Sequence, residues 1–190
     1  MSEAQATSAI GRYEYVRYGD PGDAFRPYDA RCPEVARRVA DLIWERLPGA
    51  RVEHVGSTAV PGCPGKGVVD LMLPYAPGDL DGVRSAVEEL GFQLHVGRDP
   101  FPLERPVYVG TLEHEGEPFR LHLHAIPADD PEVEAQRRFR DALRADPALV
   151  AAYAERKRGV LAAGVTDGHD YNLGKEAFIR SVTGGTTAGA

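Results

Sequence analysis

The chain of 190 residues is 43% hydrophobic, which is enough for one domain with a real core and leaves little room for a second. Its 29 acidic and 22 basic residues leave a net charge of -7, which disfavours a general nucleic-acid-binding surface but permits a local basic pocket. No apolar run approaches the roughly 18 residues of a membrane span, and no charged start precedes an apolar core at the N-terminus, so the expectation is a cytoplasmic protein with neither membrane nor extended nucleic acid as partner.

In chain order, residues 1–10 and 184–190 read as small, polar, disordered tails around a single domain over 11–183. Val35, Val39, Leu42 and Ile43 are spaced for one face of a helix running from Asp29 or Arg31 to Leu47, where Pro48-Gly49 ends it. Strands are expected at 51–56 and 67–73, then a helix from Leu80 to Leu90 that Gly91 stops. A strand over 92–96 follows, then a hairpin over 107–126 turned at Glu115-Gly116-Glu117-Pro118. Asp130-Pro131 starts a helix whose buried side is Val133, Phe139 and Leu143. Two further helices are expected, from Pro147 to Ala163 and from Asp167 or His169 to Val182. The fold class is α+β, a mixed or antiparallel sheet flanked by helices, with a helical C-terminal part.

The segment from Glu53 to Met72 carries the most chemistry. A Gly56-Ser57 turn lets backbone N–H groups approach an anion, because glycine has no side chain in the way. Ser57 and Thr58 add hydroxyls, Lys66 supplies a mobile charge for a phosphate, and Asp70 is placed to hold a divalent metal that bridges phosphate oxygens. The plainer alternative is a glycine-rich turn between two strands, with Asp70 capping backbone or pairing with Lys66.

The stretch Glu53-His54-Val55-Gly56-Ser57-Thr58-Ala59-Val60-Pro61-Gly62, followed by Lys66 and Asp70, resembles the GrpB family and, more broadly, the first motif of the DNA polymerase beta-type nucleotidyltransferase superfamily. Three later blocks match the same family: Arg120-Leu121-His122-Leu123-His124, the run from Phe139 to Pro147, and the run from Tyr171 to Ile179. The likeness extends from about Tyr28 to Val182. It implies a nucleotidyltransferase-like fold, a nucleoside triphosphate as substrate, magnesium or manganese as the metal, and a small-molecule acceptor. The superfamily pattern has a second carboxylate where this chain has Met72. Methionine is a poor ligand for a hard cation, so standard two-metal transfer is in doubt, and one metal at Asp70 with imidazole help, a softer ion or no metal remain open.

Strand alternation places Phe119, Leu121, Leu123 and Ala125 on a core face and Arg120, His122 and His124 on the other. Two histidines two residues apart project together and can chelate, though two ligands do not close a site. If this strand neighbours Asp70, as the superfamily's antiparallel third-carboxylate strand does, one imidazole stands where that carboxylate would be; otherwise the face is an ordinary polar one. His54 alternates with Gly56 and is expected either to look toward the same pocket or to orient the Ser57 loop through a hydrogen bond.

Only three of the 22 basic residues are lysines: Lys66, Lys157 and Lys175. Tyr153 with Lys157 and Tyr171 with Lys175 are four apart, hence on one helix face. Either the lysine stems cover apolar surface or the ammonium groups reach a triphosphate, with Arg140 a weaker candidate for that task. Cys32 and Cys63 read as free thiols, Cys63 inside the proposed phosphate loop. The leading expectation is an enzyme that transfers a group from a nucleotide to a small acceptor or activates that acceptor. The alternatives are a catalytically degenerate module that binds a nucleotide or phosphometabolite, and an interaction protein without a small ligand.

Overall fold

The computed structural model describes residues 8–97 and 101–184. In chain order these residues form α1 (Pro21–Ala24), α2 (Cys32–Arg46), β1 (Glu53–Val55), a single 3-10 turn (Ser57–Ala59), β2 (Val68–Tyr75), α3 (Leu80–Leu90), β3 (Gln93–Leu94), β4 (Val107–His114), β5 (Glu117–Pro127), α4 (Pro131–Ala145), α5 (Pro147–Ala162) and α6 (Gly168–Thr183). The architecture is the expected α+β one.

Local chemistry explains most of the boundaries. Pro131 and Pro147 open α4 and α5, where the missing N–H costs nothing, and the carboxylates of Asp130, Asp146 and Asp167 accept backbone N–H groups in the first turns of α4, α5 and α6. Gly91 ends α3 in the left-handed conformation, with φ of 104°. A two-residue turn at Glu115 and Gly116, both at positive φ, joins β4 to β5.

The sheet order is β1-β2-β5-β4-β3. The central pair, β2 and β5, is parallel and the other three pairings are antiparallel. The expected neighbour of Asp70 is therefore present, but β5 runs parallel to β2 rather than antiparallel. A parallel pair needs a long crossover, and the chain through α3, β3 and β4 supplies it.

One face of the sheet buries Val69, Leu71, Leu73, Leu121, Leu123 and Ala125 against Val35, Val39 and Ile43 of α2 and Val83 and Val87 of α3. Each fully buried leucine there contributes about 1.5–3 kcal/mol. A second cluster joins Val60 and Cys63 of the 60–67 loop to Phe139, Leu143 and Tyr153 of the C-terminal helices, which anchors the loop. Val55, Met72, Ile126 and Val133 form a third.

Of the expected tails, residues 1–7 and 185–190 lie outside the described residues. Ser8 to Ile10 depart from that expectation: Ile10 is buried, its N–H donates to Leu90 O, and the Ser8 hydroxyl donates to the same carbonyl. The packed chain thus begins before residue 11, because the end of α3 offers an unpaired carbonyl that this segment satisfies.

Candidate active site

The sheet face opposite the main core carries Asp70 on β2 and His122 and His124 on β5. Parallel pairing sets Asp70 beside His122 and Met72 beside His124. Asp70 Oδ1 lies 3.7 Å from His122 Nδ1 and 3.7 Å from His124 Nε2. One donor atom from each of the three residues falls within 4.8 Å of the others, the only such group of ligating side chains among the described residues. Burial works against the Asp70 carboxylate, yet the hydrogen bond from His124 and the positive fields of His122, His124 and Lys66 hold its carboxyl down to about 2. Burial pushes His122 down to about 3 despite the opposing pull of Asp70. At neutral pH this means an ionised carboxylate beside a neutral imidazole, the protonation states a metal site requires.

The mixed oxygen and nitrogen donor set fits manganese or zinc better than magnesium. Met72 adds nothing to it: the side chain is fully buried among Val55, Ile126 and Val133. His122 is oriented from behind, with Nε2 2.7 Å from the Tyr13 hydroxyl. That contact leaves Nδ1 toward Asp70, the arrangement in which an outer hydrogen bond fixes a ligand ring.

The Gly56-Ser57 turn packs directly on Asp70. Gly56 has φ of 69° and ψ of -169°, and a Cβ there would stand 2.5 Å from Asp70 Oδ2. The Thr58 hydroxyl donates to Val68 O at 3.0 Å and accepts from His54 Nε2 at 3.0 Å. Thr58 is buried, so it braces the loop from within and does not offer its hydroxyl to a ligand. His54 pairs opposite Leu71, on the sheet face away from Asp70, and so does not share its pocket. It orients the loop instead. Burial lowers its pKa to about 4.

All three lysines gather around this loop. Lys66 donates to the Tyr18 hydroxyl at 3.1 Å and lies 5.1 Å from the Tyr171 ring centre, and Lys175 lies 4.4 Å from the same ring. Burial, followed by repulsion from Lys66, lowers the Lys175 pKa well below its ordinary range, with Asp70 opposing. Among the described residues no carboxylate lies within ion-pair distance of any of the three. Lys157 differs from the other two: it is buried below the loop, where its ammonium donates to Pro64 O and approaches Cys63 Sγ at 3.5 Å. It supports the loop from inside.

Arg120 lies on the same strand face as the histidines but is engaged by buried Asp23 at 2.8 Å, while its Nη1 is buried without a hydrogen-bond partner among the described residues. Arg140 is occupied by Asp141 and Glu53 and donates to His54 O, a bracing role. Sequence reasoning missed Tyr13, Tyr18 and His95. The His95 ring centre lies 6.0 Å from that of His122, and its Nδ1 is buried without a hydrogen-bond partner among the described residues. One signal was available: three of the chain's eight tyrosines fall between residues 13 and 18.

The family described as GrpB protein matches residues 24–184, and the chain belongs to it. A UPF0157 protein of Pseudomonas aeruginosa is 33% identical over 161 residues, covering 83% of this chain and 65% of the relative. Another from Halalkalibacterium halodurans is 33% identical over 134 residues, 69% of this chain and again 65% of the relative. The chain thus spans just under two thirds of the length of these two relatives. Among solved structures, the conserved protein GrpB from Enterococcus faecalis superposes with a TM-score of 0.68 at 23% identity, over 84% of this chain and 94% of that one. The non-canonical poly(A) polymerase complex GLD-2–GLD-3 gives 0.52 at 14% identity, over 85% of this chain and 55% of that one. The fold is nucleotidyltransferase-like.

Proposed function

We propose that this member of the GrpB family is a nucleotidyltransferase-type enzyme that uses a nucleoside triphosphate and a divalent metal to transfer a group to, or activate, a small-molecule acceptor. The observation that carries this reading is the meeting of Lys66 and Lys175, neither paired with a carboxylate among the described residues, with the Asp70–His122–His124 cluster across the Gly56-Ser57 turn. In a chain that otherwise uses arginine, these compact ammonium groups suit a polyphosphate.

In this reading the Gly56-Ser57 backbone and Ser57 hydroxyl receive phosphate oxygens, and Lys66, steered by Tyr18, neutralises their charge. Lys175 places a second amine beside it over the Tyr171 ring. Asp70, His122 and His124 hold the metal, with Tyr13 fixing the His122 ring. When bound, the metal supplies charge neutralisation at the phosphates. Positioning and a preorganised field supply most of the rate in such transfers.

The second reading, a module that binds a nucleotide or phosphometabolite without turnover, is favoured by the sealed position of Met72. One experiment separates the two. Thermal unfolding with each common nucleoside triphosphate and manganese is expected to reveal a stabilising nucleotide, worth about 2.7 kcal/mol at 100 times its dissociation constant. The gain should be lost in Lys66→Ala. No stabilisation by any triphosphate sinks both nucleotide readings, whereas stabilisation without pyrophosphate release across varied acceptors favours the binding module.

A further inference from the structure

Lys157 is unusual for a lysine because it is only 2% exposed and has no carboxylate within ion-pair distance among the described residues. Its neighbours are the Pro64 carbonyl, the Tyr153 ring at 4.3 Å and the Cys63 thiol at 3.5 Å. The amine also lies directly under the loop: a Cβ added at Gly65 would be 3.3 Å from Lys157 Nζ and 2.9 Å from Ser57 Oγ. Cys63 is buried too, but it lines a cleft of about 680 Å³ shared with Arg26, Tyr28, Cys32 and Arg120, which gives a small oxidant a way in.

We propose that Cys63 and Lys157 are a modification site, where peroxide oxidises the thiol and the neighbouring amine captures it as a reversible sulfur–nitrogen cross-link. In the first step the Cys63 sulfur attacks one oxygen of hydrogen peroxide, the O–O bond breaks, and a sulfenic acid and one water result. In the second, the Lys157 Nζ lone pair attacks that sulfur, the S–O bond breaks, and the departing hydroxide takes a proton from the amine to leave a second water. The sulfur is oxidised by two electrons and one peroxide is reduced to two waters. Burial lowers the Lys157 pKa, with Lys66 and Arg158 adding to the effect and Cys63 opposing it, which enriches the neutral amine that this step needs.

The cross-link withdraws the Lys157 donor from Pro64 O and ties α5 covalently to the residue two before Gly65. The loop that carries Ser57 is thereby held in an altered position. Loss of triphosphate binding on oxidation rests on the function proposed above, but the cross-link itself does not.

The test is peptide mapping by mass spectrometry of the full chain after treatment with hydrogen peroxide. The expected product is a peptide carrying Cys63 joined to one carrying Lys157, with the loss of two hydrogens, and a thiol reductant restores both. The same product should form in Cys32→Ala, and Lys157→Arg should stop at a sulfenic acid trapped by a dimedone-type reagent. A Cys32–Cys63 disulfide, a Cys63 oxidised to sulfinic acid beside an unmodified Lys157, or an unreacted Cys63 each overturns the proposal. The map of the unaltered chain decides this even if Lys157→Arg fails to fold.

Discussion

At Gly56 two independent constraints coincide. The φ of 69° with ψ of -169° is a conformation open essentially to glycine alone, and a methyl group at that position would run into the Asp70 carboxylate. The loop backbone and the Asp70 carboxylate are thus one packed unit. Gly56→Ala is expected to cost about 1–3 kcal/mol in backbone strain and to displace Asp70. Thermal unfolding with and without manganese checks both effects: a lowered midpoint and a lost manganese-dependent gain are expected, and a variant that matches the parent in both contradicts the geometry. The motif around Gly56 was legible in the sequence because glycine, serine and proline speak for local backbone. The direction of His54 was not, since it follows from the register with Leu71.

At the scale of elements, β2 separates two positions that alternation treats alike. Asp70 and Met72 are two apart on one strand face, but α4 brings Val133 over Met72 while Asp70 remains partly open beside the loop. Putting a carboxylate at position 72 therefore does not rebuild a second metal ligand. Met72→Asp buries an unpaired charge and is expected to destabilise by at least about 3 kcal/mol, whereas Met72→Leu, with similar volume, should stay within about 1.5 kcal/mol. Urea unfolding measures the stability, and a manganese titration that shows tighter binding in a stable Met72→Asp protein would refute the reading. The bounds of α3 at Leu80 and Leu90 match the sequence expectation because its signals are local. The short α1 was not foreseen, since its four residues have no periodicity to read. Asp20 caps it by accepting from Gly22 N, and Asp23 ties it to Arg120 of β5.

At the scale of the whole molecule, the segment from Ile10 to Arg26 runs along the site. It touches β4 through Gly11, His122 through Tyr13 and Lys66 through Tyr18. Asp23 secures it: its buried carboxylate accepts from Arg17 N at 2.7 Å, from Arg120 at 2.8 Å and from Arg26. Burial disfavours the charge, but the Arg17 backbone bond and the two guanidinium groups outweigh it and lower the carboxyl from 3.8 to about 2. A depressed folded value means that this stability is fully present above the unfolded pKa near 3.8 and is lost as pH falls through about 2. Acid unfolding should therefore show a loss over that window that is absent in Asp23→Asn, which starts roughly 3–5 kcal/mol less stable at pH 7 because Arg120 loses its buried partner. Equal acid sensitivity of the two proteins would remove Asp23 from this role.

The sequence by itself determined the helices from Asp130 onward, the polar face of β5 with Arg120, His122 and His124, the glycine turn before Asp70 and the scarcity of lysine. These follow from spacing over two to four residues, which the backbone period translates directly into faces and turns. Only the tertiary structure decided that Lys66 and Lys175 meet over Tyr171 while Lys157 is buried beneath the loop, that β5 runs parallel to β2, and that Tyr13 orients His122. Tyr13 and His122 are 109 residues apart in the chain and Cys63 and Lys157 are 94 apart. Contacts over such separations depend on strand pairing and helix docking, which set one lysine beneath the loop at Pro64 and Cys63 and the other, with the same local sequence pattern, over the Tyr171 ring.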